Sequence, residues 1–67
     1  MSYSKLRGRI REKFGTQEAF ATALNMHPAT LSAKLNGKSE WSKPEMAAAT
    51  KLLDISLNEV AQYFFSL

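Results

Sequence analysis

Apolar residues recur along this chain at the three- and four-residue spacing of amphipathic helices, and no alternation of period two is sustained. The clearest example is the stripe of Leu6, Ile10 and Phe14, with cations mainly on the other faces. Each apolar segment is too short to persist as an isolated helix, so the segments must fold together. We therefore predict one all-α domain over residues 1–67, with helices at about 4–14, 17–24, 28–36, 43–53 and 57–65.

Polar residues at the segment boundaries support these helix ends. Thr16 is a predicted N-cap, and Gly15 before it ends the first helix. Ser42 and Glu45 have the spacing of a capping box, in which each side chain bonds the backbone of the other residue. Ser56 and Glu59 repeat that spacing before the last helix.

The second and third helices form a pair with a short connection. Asn25 tolerates the left-handed conformation that ends a helix, and Pro28 suits the first position of the next one. Leu31 and Leu35 then continue one face as far as Gly37. This spacing predicts a helix-turn-helix, in which the first helix braces and the second lies in the major groove of DNA.

Charge is unevenly distributed along the chain. Residues 1–43 contain eight Lys/Arg and three Glu, a net charge of +5, whereas residues 44–67 have a net charge of −2. A basic region around a helix-turn-helix favours a polyanionic partner, although a solvated face that keeps a small protein soluble is the alternative. We therefore expect double-stranded DNA as a partner.

Several residues at helix-turn-helix positions make the chain resemble the lambda-repressor-like family, in particular the small phage Cro-type repressors and repressor modulators. The matching positions are Gln17, Ala21, Leu24, Leu31, Asn36 and Gly37, and the segment LLDISLNEVAQYF is similar to the close of that family's domain. The resemblance implies a compact five-helix DNA-binding domain that pairs on its operator. Two departures are Asn25, where glycine is usual in the turn, and Lys34, where an apolar residue is expected one position before Leu35.

The helix-turn-helix interpretation assigns DNA contacts to the third helix and its surroundings. Predicted contacts to bases come from His27, Ala29, Thr30, Ser32 and Ala33. Predicted contacts to phosphates come from Gln17, which the resemblance implies, and from Lys34, Asn36, Lys38, Ser39 and Lys43. The alternative is that His27 is only an N-cap and that each lysine is only a surface cation.

Aromatic residues outside this motif suggest a second surface. Trp41 lies in a polar loop, where we expect a lid over the core rather than a contact with DNA or a partner. Tyr63, Phe64, Phe65 and Leu67 are more large apolar residues than one buried stripe needs. They predict a homodimer or partner interface, with simple closure of the core as the alternative.

These features predict a sequence-specific transcriptional regulator, a Cro-type repressor of a phage or prophage that reads an operator through residues 28–36. The alternative is a repressor modulator that acts mainly by binding a larger phage repressor. We expect no enzymatic activity, metal or cofactor, because the chain has no cysteine, one histidine and no glycine-rich phosphate loop. No apolar run approaches a membrane span and no secretory segment is evident, so we expect the protein in the bacterial cytoplasm, associated with the nucleoid.

Overall fold

The computed structural model describes residues 3–65, and this part of the chain is all-α, as the apolar spacing predicts. Its helices are α1 (Ser4–Phe14), α2 (Gln17–Ala23), α3 (Pro28–Leu35), α4 (Lys43–Leu52) and α5 (Val60–Phe64), with a 3-10 turn (Leu57–Glu59) directly before α5. Over residues 3–65, no helix has the length and apolar character needed to cross a lipid bilayer.

The predicted caps form at two of the three sites. The Thr16 hydroxyl accepts the backbone N–H of Ala19 at 3.1 Å. The capping box also forms, since the Ser42 hydroxyl accepts from the Glu45 N–H at 3.2 Å and the Glu45 carboxylate accepts from the Ser42 N–H at 2.8 Å.

The second predicted capping box, at Ser56 and Glu59, is wrong. The chain begins its last helical segment with a 3-10 turn, in which the Glu59 N–H already donates to the Ser56 carbonyl at 2.9 Å. The Ser56 hydroxyl instead donates to the Glu59 carboxylate at 3.0 Å. The two side chains therefore bond each other and leave the backbone to the 3-10 turn.

The connection between α2 and α3 depends on a left-handed residue. Asn25 has φ 58°, the conformation that its short polar side chain tolerates, and its N–H bonds the Thr22 carbonyl at 3.0 Å. The next residue, Met26, donates to the Ala21 carbonyl at 2.9 Å. These two bonds close the end of α2 and turn the chain toward α3 within four residues.

The core lies where the five helices meet. Its largest fully buried side chains come from α1, α2, α3 and α5 and from the residue directly after α4, and they are Phe20, Phe64, Leu6, Ile10, Leu31, Leu35 and Leu53. Phe14 closes one edge of this core, with its ring 5.2 Å from that of Phe20. The apolar faces identified in the sequence are thus the faces that the fold buries.

Two arginines of α1 bind the C-terminal ends of other helices. The Arg7 guanidinium donates to the Leu35 carbonyl at 2.9 Å and to the Asn36 side-chain oxygen at 2.5 Å, at the end of α3. Arg9 donates to the Leu53 carbonyl at 2.9 Å, at the end of α4. A cation satisfies the unpaired carbonyls at a helix C-terminus and complements its dipole, so α1 fixes the ends of both helices.

Candidate functional site

The outer surface of α3 is formed by small and weakly polar side chains. Of the predicted base contacts, His27, Ala29 and Thr30 are exposed, whereas Ser32 and Ala33 are half-buried. Nδ1 of His27 accepts the Ala29 N–H at 3.1 Å and caps the helix, which leaves Nε2 as the free ring nitrogen for an external bond. This surface carries no Arg, Asn or Gln that could bond a base edge at two points.

The residues predicted to contact phosphate are exposed or half-buried, with one exception. Gln17, Asn36, Lys38 and Lys43 are exposed and Ser39 is half-buried. The carboxamide of Asn36 is already engaged, because its oxygen accepts from Arg7. Contacts of these residues with DNA stay predictions.

Lys34 does not face outward, which corrects its assignment as a phosphate contact. Only 6% of the residue is exposed. Its Nζ donates to the Glu40 carbonyl at 2.8 Å and lies 3.0 Å from a Glu45 carboxylate oxygen. Hydrogen bonds from the Ser42 backbone N–H first, and from the Lys34 ammonium second, lower the pKa of Glu45. Lys34 therefore ties α3 to the start of α4 from inside the protein.

More than half of the cations counted in the sequence bind groups within the fold. Lys5 donates to the Gln62 side chain at 2.6 Å and lies over the Tyr63 ring, and Lys13 lies 3.3 Å from the Asp54 carboxylate. With Arg7, Arg9 and Lys34, these make five of the nine Lys/Arg. Within residues 3–65, the exposed cations without such a partner are Arg11, Lys38, Lys43 and Lys51.

The C-terminal aromatic residues divide between the core and the surface. Tyr63 and Phe64 are buried, so their assignment as interface residues is wrong, because α5 turns both rings toward the core. Phe65 is 48% exposed, and Leu67 lies outside the described residues. Trp41 is half-buried and packs edge-on against Phe64 with ring centroids 5.2 Å apart, as its interpretation as a lid predicts.

An apolar groove on the outer side of α4 is a feature that the sequence analysis missed. It encloses about 380 Å³ and is lined by one face of α4, the 3-10 turn and α5, namely by Lys43, Met46, Ala47, Thr50, Lys51, Leu57, Val60 and Phe65. Leu57 is 89% exposed at its edge. The spacing of the α4 residues gives a signal, but small alanines and a lysine near each end of the helix make the apolar character of this face hard to see in the sequence. We name this surface the α4 groove.

Comparisons with known proteins connect this fold to phage regulation. A family model described as "Protein of unknown function (DUF739)" matches residues 1–67. Among solved structures, the chain is similar to the modulator of repression (MOR) of the temperate bacteriophage TP901-1 from Lactococcus lactis. The two share 41% sequence identity and a TM-score of 0.85, over 96% of this chain and 86% of that chain. No curated protein matches the sequence.

Proposed function

Because the chain belongs to the DUF739 family and is similar to a modulator of repression, we propose that it is a phage or prophage regulator that binds a larger repressor protein. The observation that carries this proposal is the 41% identity with the modulator over nearly the whole chain. Binding changes how the repressor occupies its operator and so changes repression. The proposal implies an activity in the cytoplasm of the bacterial host and no enzymatic reaction.

The distribution of cations supports a protein partner. Arg7 and Arg9 serve as helix caps and Lys34 is buried, so much of the basic charge near α3 is not available to phosphates. Nonspecific DNA affinity depends on the number of phosphates neutralised, and it falls when fewer cations reach the backbone. The net charge of the N-terminal two-thirds therefore overstates the electrostatic attraction to DNA.

The chemistry of the α3 surface supports the same proposal. Strong discrimination between bases comes from side chains that bond one base edge at two points. The exposed residues His27, Ala29 and Thr30 each offer at most one bond or an apolar contact. We propose that α2 and α3 form a helix-turn-helix of the lambda-repressor-like kind, used here mainly as a scaffold.

The test combines direct binding with a repression assay. The repressor encoded by the same phage or prophage is purified and titrated with this chain by isothermal titration calorimetry. In parallel, a reporter under the repressor's operator is measured with and without the chain. We expect a stoichiometric complex and a change in reporter output that requires the repressor. Absence of a complex at micromolar concentrations, with unchanged reporter output, would refute the proposal.

A second candidate function is direct binding to DNA, which the positions of two exposed lysines favour. Lys38 follows α3 and Lys43 begins α4, and neither has a partner among the described residues. Fluorescence anisotropy with duplex DNA across a salt series measures this activity, with a log–log slope of about −0.9 per phosphate contacted. Gln17→Ala and Lys38→Ala should weaken binding at all sequences, whereas Arg11→Ala serves as the charge control. No binding at low salt would exclude this function.

A further inference from the structure

The α4 groove exposes large apolar side chains to solvent. Leu57 is 89% exposed and Phe65 is 48% exposed, and both line the groove together with Met46 and Val60. Apolar patches of this kind on a small domain mark sites where another chain excludes water. The groove runs along a helix, which is the shape that receives the apolar face of an amphipathic helix.

Two cations define the rim of the groove. Lys43 lies at the first position of α4 and Lys51 in its last turn, and both are exposed and without a partner among residues 3–65. At 1.5 Å per residue, they are about 12 Å apart along the helix axis. A helix that lies along α4 meets both when it carries carboxylates seven or eight residues apart on the flank of its apolar face.

We propose that the α4 groove binds an amphipathic helix of the repressor whose apolar face is flanked by acidic residues about two turns apart. This inference rests on the proposed function, because it names the surface that the repressor contacts. The apolar side chains supply the contact area, and the two lysines fix the register and direction of the bound helix through charge complementarity.

A second copy of this chain is a poorer occupant. In a symmetric dimer the same surface meets itself, so the lysine-bearing rim of one copy faces that of the other. Like charges across an interface are unfavourable. Lys43 and Lys51 therefore select against self-association through the groove and for an acidic partner.

The experiment measures the Kd for the repressor and compares variants in the α4 groove with a control variant on α1. Leu57→Ser should raise the Kd for the purified repressor roughly tenfold or more, since it removes a largely exposed leucine from the contact. Lys51→Glu should raise the Kd several-fold at low salt, with a smaller effect at high salt. Arg11→Glu changes the net charge by the same amount on α1 and should leave the Kd within about twofold of the unmodified chain.

Chemical-shift mapping gives an independent readout that does not depend on any variant. The 15N-labelled chain is titrated with the repressor, and the largest shifts are expected at residues 43–51 and 57–65. Thermal unfolding of each variant checks that it is folded. We expect each variant to fold, because the altered side chains are exposed.

The outcomes separate the two proposals. Suppose that the unmodified chain binds the repressor but the groove variants behave like Arg11→Glu, or that the chemical-shift changes are confined to α2 and α3. The α4 groove is then not the repressor-binding surface, and the proposed function stands. If the unmodified chain does not bind the repressor, both are wrong. A dimer in sedimentation analysis that Leu57→Ser dissociates would make a second copy the occupant and overturn the inference. Loss of DNA affinity on Lys51→Glu, with repressor binding unchanged, would also overturn it.

Discussion

Replacing Glu45 with alanine should destabilise this protein more than any other single change at a partly exposed polar residue described above. The carboxylate is 29% exposed and accepts from the Ser42 N–H at 2.8 Å, and it lies 3.0 Å from Nζ of Lys34. One side chain therefore caps α4 and neutralises a buried ammonium. Glu45→Ala removes both interactions together.

The expected cost follows from these two interactions. Loss of the reciprocal cap costs about 1 kcal/mol. The stranded ammonium of Lys34 keeps its bond to the Glu40 carbonyl, so its cost is about 1–2 kcal/mol rather than the full penalty of an isolated buried charge. A domain of this length has a stability of roughly 3–10 kcal/mol, so a loss of about 2–3 kcal/mol lowers the Tm by roughly 10–20 °C.

Two further variants separate the contribution of the α4 cap from that of the ion pair with Lys34. Glu45→Gln keeps an oxygen that can accept from Ser42 and removes the charge, so it should cost about 1 kcal/mol. Lys34→Met keeps the apolar stem of the side chain and leaves a carboxylate that water can reach, so it should cost less than about 1 kcal/mol. We therefore expect Glu45→Ala to lower the free energy of unfolding more than Lys34→Met does.

The pH dependence of stability tests whether the ionised form of Glu45 stabilises the fold. The pKa of Glu45 is lowered in the folded state, so the ionised carboxylate stabilises the fold above the pKa of the unfolded chain, about 4.3. This stabilisation is lost as the pH falls through the lower pKa of the folded state. The difference in the free energy of unfolding between the unmodified chain and Glu45→Gln should therefore be largest at pH 7 and become smaller below about pH 4.

Urea unfolding followed by circular dichroism at pH 7 and at pH 3 measures all of these values. The double role of Glu45 is refuted if Glu45→Ala changes the free energy of unfolding by less than about 0.5 kcal/mol at pH 7, or if Lys34→Met costs more than Glu45→Ala.

Substitutions at three other positions test separate features of the fold. Leu31→Ala removes a side chain with no exposure at the centre of the core and should cost about 2–5 kcal/mol in the same urea assay; a cost under 1 kcal/mol would contradict its central position. At Asn25, with φ 58°, alanine should be less stable than glycine by about 1 kcal/mol in thermal unfolding, and equal stabilities would contradict the left-handed turn. Lys13→Met breaks a surface ion pair with Asp54. It should lower the free energy of unfolding by less than about 1 kcal/mol, both at low and at high salt.

Local chemistry explains why most of the fold follows from the sequence. The Leu6–Ile10 stripe, the caps at Thr16 and Ser42 and the turn at Asn25 each depend on residues within one or two helical turns. Such short-range patterns determine helix boundaries directly. The boundaries of α1 are the predicted ones, and those of α2 to α4 agree within about one residue.

The candidate site was harder to predict because its residues depend on contacts between distant segments. Lys34 is buried since Glu45 and the Glu40 carbonyl come back against α3, which no local pattern reveals. Tyr63, Phe64 and Phe65 are adjacent in the sequence, and only the rotation of α5 decides which of them is exposed. Leu57 lies between Ser56 and Glu59 of the predicted capping box, and that local pattern does not indicate that its side chain is exposed at the α4 groove.

The arginine contacts of α1 have a consequence for the behaviour of this protein in acid. The acceptors of Arg7 and Arg9 at the ends of α3 and α4 include backbone carbonyls, which carry no titrating proton. The bond between Lys34 and Glu45 depends instead on an ionised carboxylate. Acid should therefore loosen the start of α4 from α3, where Glu45 pairs with Lys34, before it separates α1 from the ends of α3 and α4. The links between helices thus fall into an acid-labile set and an acid-resistant set, which gives unfolding by acid a preferred order.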